Sequence, residues 1–255
     1  MPDFFESAEG RRIAYHQTPG TGPGVVFLGG YRSDMTGTKA VHLQAWAERT
    51  GRAFLRFDYS GHGQSSGEFL DGGIGSWSRD AMAVIAARTV GPQVLVGSSM
   101  GGWISLLVAR AMPERVAGLV GVAAAPDFTE DLMRAGFTEA QKTALQTHGF
   151  VEEPSEYSDQ PNVITQAFLD DGARHLVLRA PLDLPFAVRL LQGSADVDVP
   201  PEVALRLMEH VGCDDLRLTL VKGADHRFST PDCLDLIVAS VEEVLSRAES
   251  AGAAR

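Results

Sequence analysis

Short apolar runs recur along the chain, and the stretches between them carry apolar residues at helical spacing. The runs at 25–28, 53–58, 94–97, 116–123, 188–191 and 216–221 are β-branched and apolar on both faces, the pattern of strands covered by helices on either side. The intervening stretches predict helices over 38–50, 76–90, 102–112, 201–211 and 231–247. Strand and helix in alternation predict an α/β chain with a mostly parallel, doubly wound sheet. Ahead of it, residues 4–18 read as an antiparallel edge hairpin whose second arm is Ile13-Ala14-Tyr15-His16. The closing residues, 248–255, are small and polar and are expected to fray.

The rhythm breaks between Pro126 and Pro185, where no strand of the main sheet is evident. Thr138-x-x-Gln141 forms a capping box that opens a helix toward His148. Phe128, Leu132, Met133, Phe137, Leu145, Phe150, Phe168 and Leu169 supply this segment with apolar surface, most of it for its own core. The expected organisation is a core of residues 1–126 and 185–255, with a helical lid insert at 127–184.

One pentapeptide in the core stands apart. Gly97-Ser98-Ser99-Met100-Gly101 lies between an apolar run at 93–96 and a helical run at 102–110. Gly-x-Ser-x-Gly between strand and helix reads as a nucleophile elbow. The turn is so tight that its central residue takes a strained backbone, and the residues two before and two after must lack bulk. Ser99 is that central residue, because centring on Ser98 would put Val96 and Met100 at the glycine positions.

A serine hydroxyl is a poor nucleophile without a general base and an acid to orient that base. After such an elbow the chain order is Ser, then Asp or Glu, then His. Asp196 follows the strand at 187–191 and precedes a helix starting near Pro200-Pro201, which is the position of the acid. Asp198 is its rival and reads as a loop or capping carboxylate. Of seven histidines, His226 alone follows both the last strand and Asp196, ahead of a helix capped by Thr230 with Pro231 at its first position. His62, in Gly61-His62-Gly63-Gln64-Ser65, reads as a turn former. Two backbone donors for an oxyanion are expected, the N–H of Met100 and that of Tyr31 in the loop Gly29-Gly30-Tyr31-Arg32. Arg32 beside them is a candidate partner for a carboxylate on a substrate.

Charge narrows the range of partners. Lys and Arg number 22 against 33 Asp and Glu, a net −11, which argues against nucleic acid and anionic membrane surfaces. No apolar run reaches membrane-spanning length. Cys213 and Cys233 make no disulfide framework and suggest a reducing compartment. The first residues show neither a signal-peptide pattern nor an Arg-rich transit pattern, so a cytoplasmic protein is expected. Neither metal-ligand spacing nor a dinucleotide-binding glycine pattern occurs, so no metal and no cofactor is expected.

With elbow, acid, base and oxyanion loop placed, the chain resembles the α/β-hydrolase superfamily over nearly its whole length. Leu28-Gly29-Gly30-Tyr31-Arg32-Ser33-Asp34-Met35-Thr36-Gly37-Thr38-Lys39-Ala40, Arg56-Phe57-Asp58-Tyr59-Ser60-Gly61 and Val96-Gly97-Ser98-Ser99-Met100-Gly101-Gly102-Trp103 resemble the abhydrolase-ten group, as does Pro154-Ser155-Glu156-Tyr157-Ser158 in the lid. Animal members of that group are palmitoyl-protein thioesterases that also cleave acyl-glucuronides. The resemblance implies a serine carboxylesterase or thioesterase acting on a small ester or acylated substrate through Ser99, His226 and Asp196, without a cofactor. An acyltransferase or a perhydrolase would use the same triad. A catalytically silent hydrolase fold that only binds is the third reading, and such proteins usually lack a triad member.

Overall fold

The structure, a computed structural model, describes residues 1–153 and 161–253. The lid motif at 154–158 therefore lies outside the described residues. The chain begins with β1 (Asp3–Glu6), β2 (Arg12–Thr18), β3 (Thr21–Leu28), α1 (Thr38–Thr50), β4 (Arg52–Phe57), α2 (Ile74–Arg88), β5 (Gln93–Ser98), α3 (Met100–Ala111) and β6 (Val116–Val122). It continues with α4 (Glu139–His148), β7 (Phe150–Glu153), β8 (Asn162–Thr165), α5 (Gln166–Ala173) and β9 (Leu182–Asp183). The last elements are β10 (Ala187–Gly193), α6 (Pro201–His210), β11 (Val211–Gly212), β12 (Leu216–Val221) and α7 (Pro231–Ala253).

Eight strands make one sheet in the order β1-β2-β4-β3-β5-β6-β10-β12. β2 pairs antiparallel with β1 and with β4, while every pairing from β4 to β12 is parallel. This is the α/β-hydrolase arrangement, with an inserted lid region between β6 and β10. Neighbouring side chains on a strand point to opposite faces, and the central strands sort accordingly. Val25 and Phe27 of β3 pack with Leu43 and Trp46 of α1 and Ile237 and Val241 of α7. Val26 and Leu28 pack into the opposite layer, with Trp77 and Ile85 of α2 and Trp103 and Ile104 of α3. Each such side chain contributes about 1.5–3 kcal/mol on full burial.

Two expectations change. β12 is an edge strand, flanked only by β10, and Arg217, Thr219 and Leu220 on it are exposed, so it is not apolar on both faces. The residues from 248 to 253, expected to fray, continue α7. Arg52 pairs with Glu249 at 2.8 Å and fastens that last turn to the sheet.

The insert holds a π-helical segment (Thr129–Arg134), α4, α5 and the antiparallel pair β7–β8. The Thr138–Gln141 box is formed, each side chain bonding the other residue's backbone N–H. Buried Asp127 accepts the N–H groups of Val177 and Leu178 at 2.8 and 2.9 Å and pairs with Arg179 at 3.0 Å, joining the start of the insert to its end. Asp171 of α5 accepts the N–H of Gly75 at 2.8 Å, placing a carboxylate at the N-terminus of α2. Among the described residues, no helix is long and apolar enough to cross a membrane.

Leu95 is 0 % exposed at the centre of the sheet. Leu95→Ala is expected to lower unfolding free energy by about 2–5 kcal/mol, read from urea denaturation.

Candidate active site

Ser99 stands between β5 and α3 with φ 54° and ψ −119°, a backbone that a residue with a side chain rarely adopts. Its N–H donates to Val122 O at 2.9 Å, and its carbonyl accepts from Gly102 and Ala125. The flanking glycines are required by space. A Cβ on Gly101 would overlap the carbonyl oxygen of Leu28, and a Cβ on Gly97 would overlap that of Gly101.

His226 lies in the loop between β12 and α7. Its Nε2 is 3.1 Å from Ser99 Oγ, and its Nδ1 is 2.9 Å from Asp196 Oδ2. The loop is fixed from both sides. Phe228, with φ 48° and a fully buried ring, follows His226, and its N–H donates to Asp225. Lys39, on the first turn of α1, donates to the Arg227 carbonyl at 2.5 Å. Burial pushes the Lys39 amine down to about 8, with nearby Asp225 opposing that shift and Arg227 adding to it.

Asp196 is buried at the end of β10. Its Oδ1 accepts the N–H groups of Asp198 and Val199, and its Oδ2 accepts from Gln192 Nε2 at 2.9 Å as well as from His226. Burial alone would raise this carboxyl, but the bonds from His226, the Val199 amide and Gln192 outweigh it and hold it below its ordinary value. Asp198, the rival acid, contributes its backbone N–H to Asp196. Asp196, Asp198 and His226 also form the one group among the described residues spaced to hold a metal ion, but Asp196 and His226 are already bonded to each other.

Met100 is the first residue of α3, where an N–H has no acceptor within the helix. Tyr31 follows Gly30, which lies close beside Ser99: a Cβ on Gly30 would stand in van der Waals contact with that of Ser99, at 3.4 Å. A cavity of about 470 Å³ opens on Ser99 and His226, and Phe27, Tyr31, Arg32, Lys39, Asn162 and Arg227 are among its walls. The Arg32 guanidinium is engaged with the lid, donating to Val163 O at 3.3 Å. His62 is buried among Tyr59, Phe69 and Trp77 in its turn, apart from this cavity. Gln192, Lys39 and Asn162 escaped the sequence reading. Only Gln192 left a signal there, as a polar residue ending an apolar strand.

A family model described as serine aminopeptidase, S33, matches residues 24–166. The chain is 34% identical over 245 residues to the palmitoyl-protein thioesterase ABHD10, mitochondrial, of Rattus norvegicus, covering 96% of this chain and 82% of the rat protein. A solved hydrolase from Agrobacterium vitis S4 matches with a TM-score of 0.92 at 40% identity, over 96% of this chain and 98% of that one. Mouse α/β hydrolase domain-containing protein 10 matches with a TM-score of 0.89 at 31% identity, over the same shares. The mitochondrial names of the mammalian relatives overturn the cytoplasmic expectation. Free thiols and an acidic balance fit any reducing compartment and never distinguished one from another.

Gly101→Ala is expected to abolish activity and lower the thermal midpoint, since the added methyl has nowhere to go. Asp196 should stabilise the fold above its ordinary carboxylate value of 3.8, and that contribution is lost as pH falls through its lower folded value. The stability gap between the wild type and Asp196→Asn, from urea denaturation, should therefore be wide at neutral pH and close in strong acid.

Proposed function

The chain belongs to the ABHD10-like serine hydrolases of the α/β-hydrolase superfamily, and on that premise we propose that Ser99, His226 and Asp196 cleave carboxylic esters or thioesters through an acyl-enzyme. The observation that carries the reading is the pair of distances at His226, 3.1 Å to Ser99 Oγ and 2.9 Å to Asp196 Oδ2. Ser99 attacks the acyl carbonyl while His226 Nε2 takes its proton. Asp196 keeps the remaining ring proton on Nδ1 and steadies the imidazolium. The N–H groups of Tyr31 and Met100 receive the oxyanion, each worth about 3 kcal/mol in the transition state. His226 then protonates the departing alcohol or thiol. Water, deprotonated by the same ring, releases the acid and restores Ser99.

The relatives bear on the substrate. The family description is that of a peptidase, whereas the relatives matching nearly the whole chain are named palmitoyl-protein thioesterases. We follow the latter and assign acylated substrates, joined through a thioester or through an ester of the acyl-glucuronide type. The cavity, at about 470 Å³, has the volume of a small-molecule site.

The test is hydrolysis of p-nitrophenyl esters from acetyl to palmitoyl. Ser99→Ala is expected to lower kcat by several orders of magnitude, with a thermal midpoint near that of the wild type. Near-native turnover by this variant would sink the proposal. A kcat/KM that climbs with chain length would assign long acyl groups, and one that falls would assign short esters.

A further inference from the structure

The second oxyanion donor belongs to a loop held from two sides, by the core and by the lid. Between β3 and α1 the chain runs through Gly29-Gly30-Tyr31-Arg32 without regular structure. Within the loop, Gly30 N–H donates to Ser33 Oγ at 3.1 Å and Ser33 N–H to the Gly30 carbonyl at 3.2 Å. Arg32 has φ 56°, a left-handed backbone that costs a side-chain-bearing residue energy and persists only where its surroundings hold it. That turn sets the direction of the chain just after the Tyr31 peptide.

Part of what holds it comes from the lid. The Arg32 guanidinium donates to the Val163 carbonyl on β8, while its carbon lies 4.6 Å from the centre of the Phe69 ring. The Tyr31 ring stacks on Phe168 of α5, with centres 5.2 Å apart and planes 24° apart. Phe128, at the entry to the insert, meets Tyr31 edge-on at 6.0 Å. Phe168 and Phe128 are both buried. Entry, strand and helix of the insert thus converge on Tyr31 and Arg32, with Phe69 and Trp77 of the core completing the aromatic wall.

We propose that Arg32 and Phe168 are positioning residues that make the oxyanion donor at Tyr31 depend on a closed lid. The inference rests on the triad assignment above. With the lid seated, Phe168 pins the Tyr31 ring, Arg32 grips β8, and the Tyr31 peptide is kept on the cavity that Ser99 lines. An acyl group that holds the lid away from the core releases both grips, and the donor drifts. Selection among acyl groups then acts on turnover through lid reclosure as well as on binding through pocket size.

The experiment uses p-nitrophenyl acetate, whose small acyl group makes little demand on pocket shape, and its thiono counterpart, in which the carbonyl oxygen is sulfur. Oxyanion donors favour oxygen over sulfur, so the rate ratio of the two substrates reports on the donors rather than on folding. Arg32→Ala and Phe168→Ala are each expected to lower kcat for the oxygen ester about ten- to a hundredfold, with KM within about threefold. The oxygen-over-sulfur ratio should shrink alongside. Phe168→Tyr, which keeps the stacked ring, should restore both values to within about threefold of the wild type. Should Phe168→Ala fail to fold, Arg32→Ala carries the same readout, because its side chain is exposed. A fall in kcat with an unchanged ratio, or no fall in either variant, overturns the proposal. Labelling of the wild type by a fluorophosphonate separates the two readings. Absence of label on Ser99 defeats the triad assignment, whereas a labelled wild type with unaffected variants defeats only the lid coupling.

Discussion

Gly101 has no side chain, and so the first turn of α3 can lie against the carbonyl of Leu28 at the end of β3. That close approach of two backbones sets the rest of the site. It brings Ser99 to the mouth of the sheet beside the loop that leaves β3, so Ser99 and the Tyr31 peptide line one cavity although they are far apart in sequence. In that same turn Ser99 takes its positive φ, with its hydroxyl 3.1 Å from His226 Nε2. The bonds from Ser99 to Val122 and Ala125 then hold a conformation that the isolated turn would not keep.

The rest of the constellation is arranged by the parallel sheet. β5, β6, β10 and β12 end on the same side, and the loops after β5, β10 and β12 carry Ser99, Asp196 and His226. Each loop has its own local anchor: the elbow glycines, the Gln192 and Val199 donors around Asp196, and the buried Phe228 ring beside His226. Lys39 adds a tie between α1 and the His226 loop. In a chain of net charge −11, this cation together with Arg32 and Arg227 gives the cavity a local balance unlike that of the whole surface.

That Ser99, Asp196 and His226 would meet was legible because each follows a strand end, where residue type and local context make it a candidate. The sheet was legible for a similar reason, since its central strands are long and apolar. β12 departed from the pattern because being at an edge depends on which strands pair, and pairing is a non-local property. The insert was legible as a break in rhythm and, at Thr138–Gln141, as a cap. Its β7–β8 pair was not, because four-residue strands that pair only with each other leave almost no periodicity to read. The surroundings of Tyr31 were hidden more completely. Arg32 and Val163 are 131 positions apart, and nothing in either neighbourhood announces the other. The gripping of Phe168 by Tyr31 is a product of tertiary packing alone.

Asp127 gives the insert a particular independence. By gathering the N–H groups of Val177 and Leu178 and the Arg179 guanidinium, it brings the two stems of the insert together beside the end of β6. A segment whose stems are clasped in this way can lengthen, shorten or be exchanged between them without altering the spacing of β6 and β10 beneath. Descendants of such a chain can therefore explore new substrates by redrafting the roof, while the geometry of the hydrolytic machinery below is inherited unchanged.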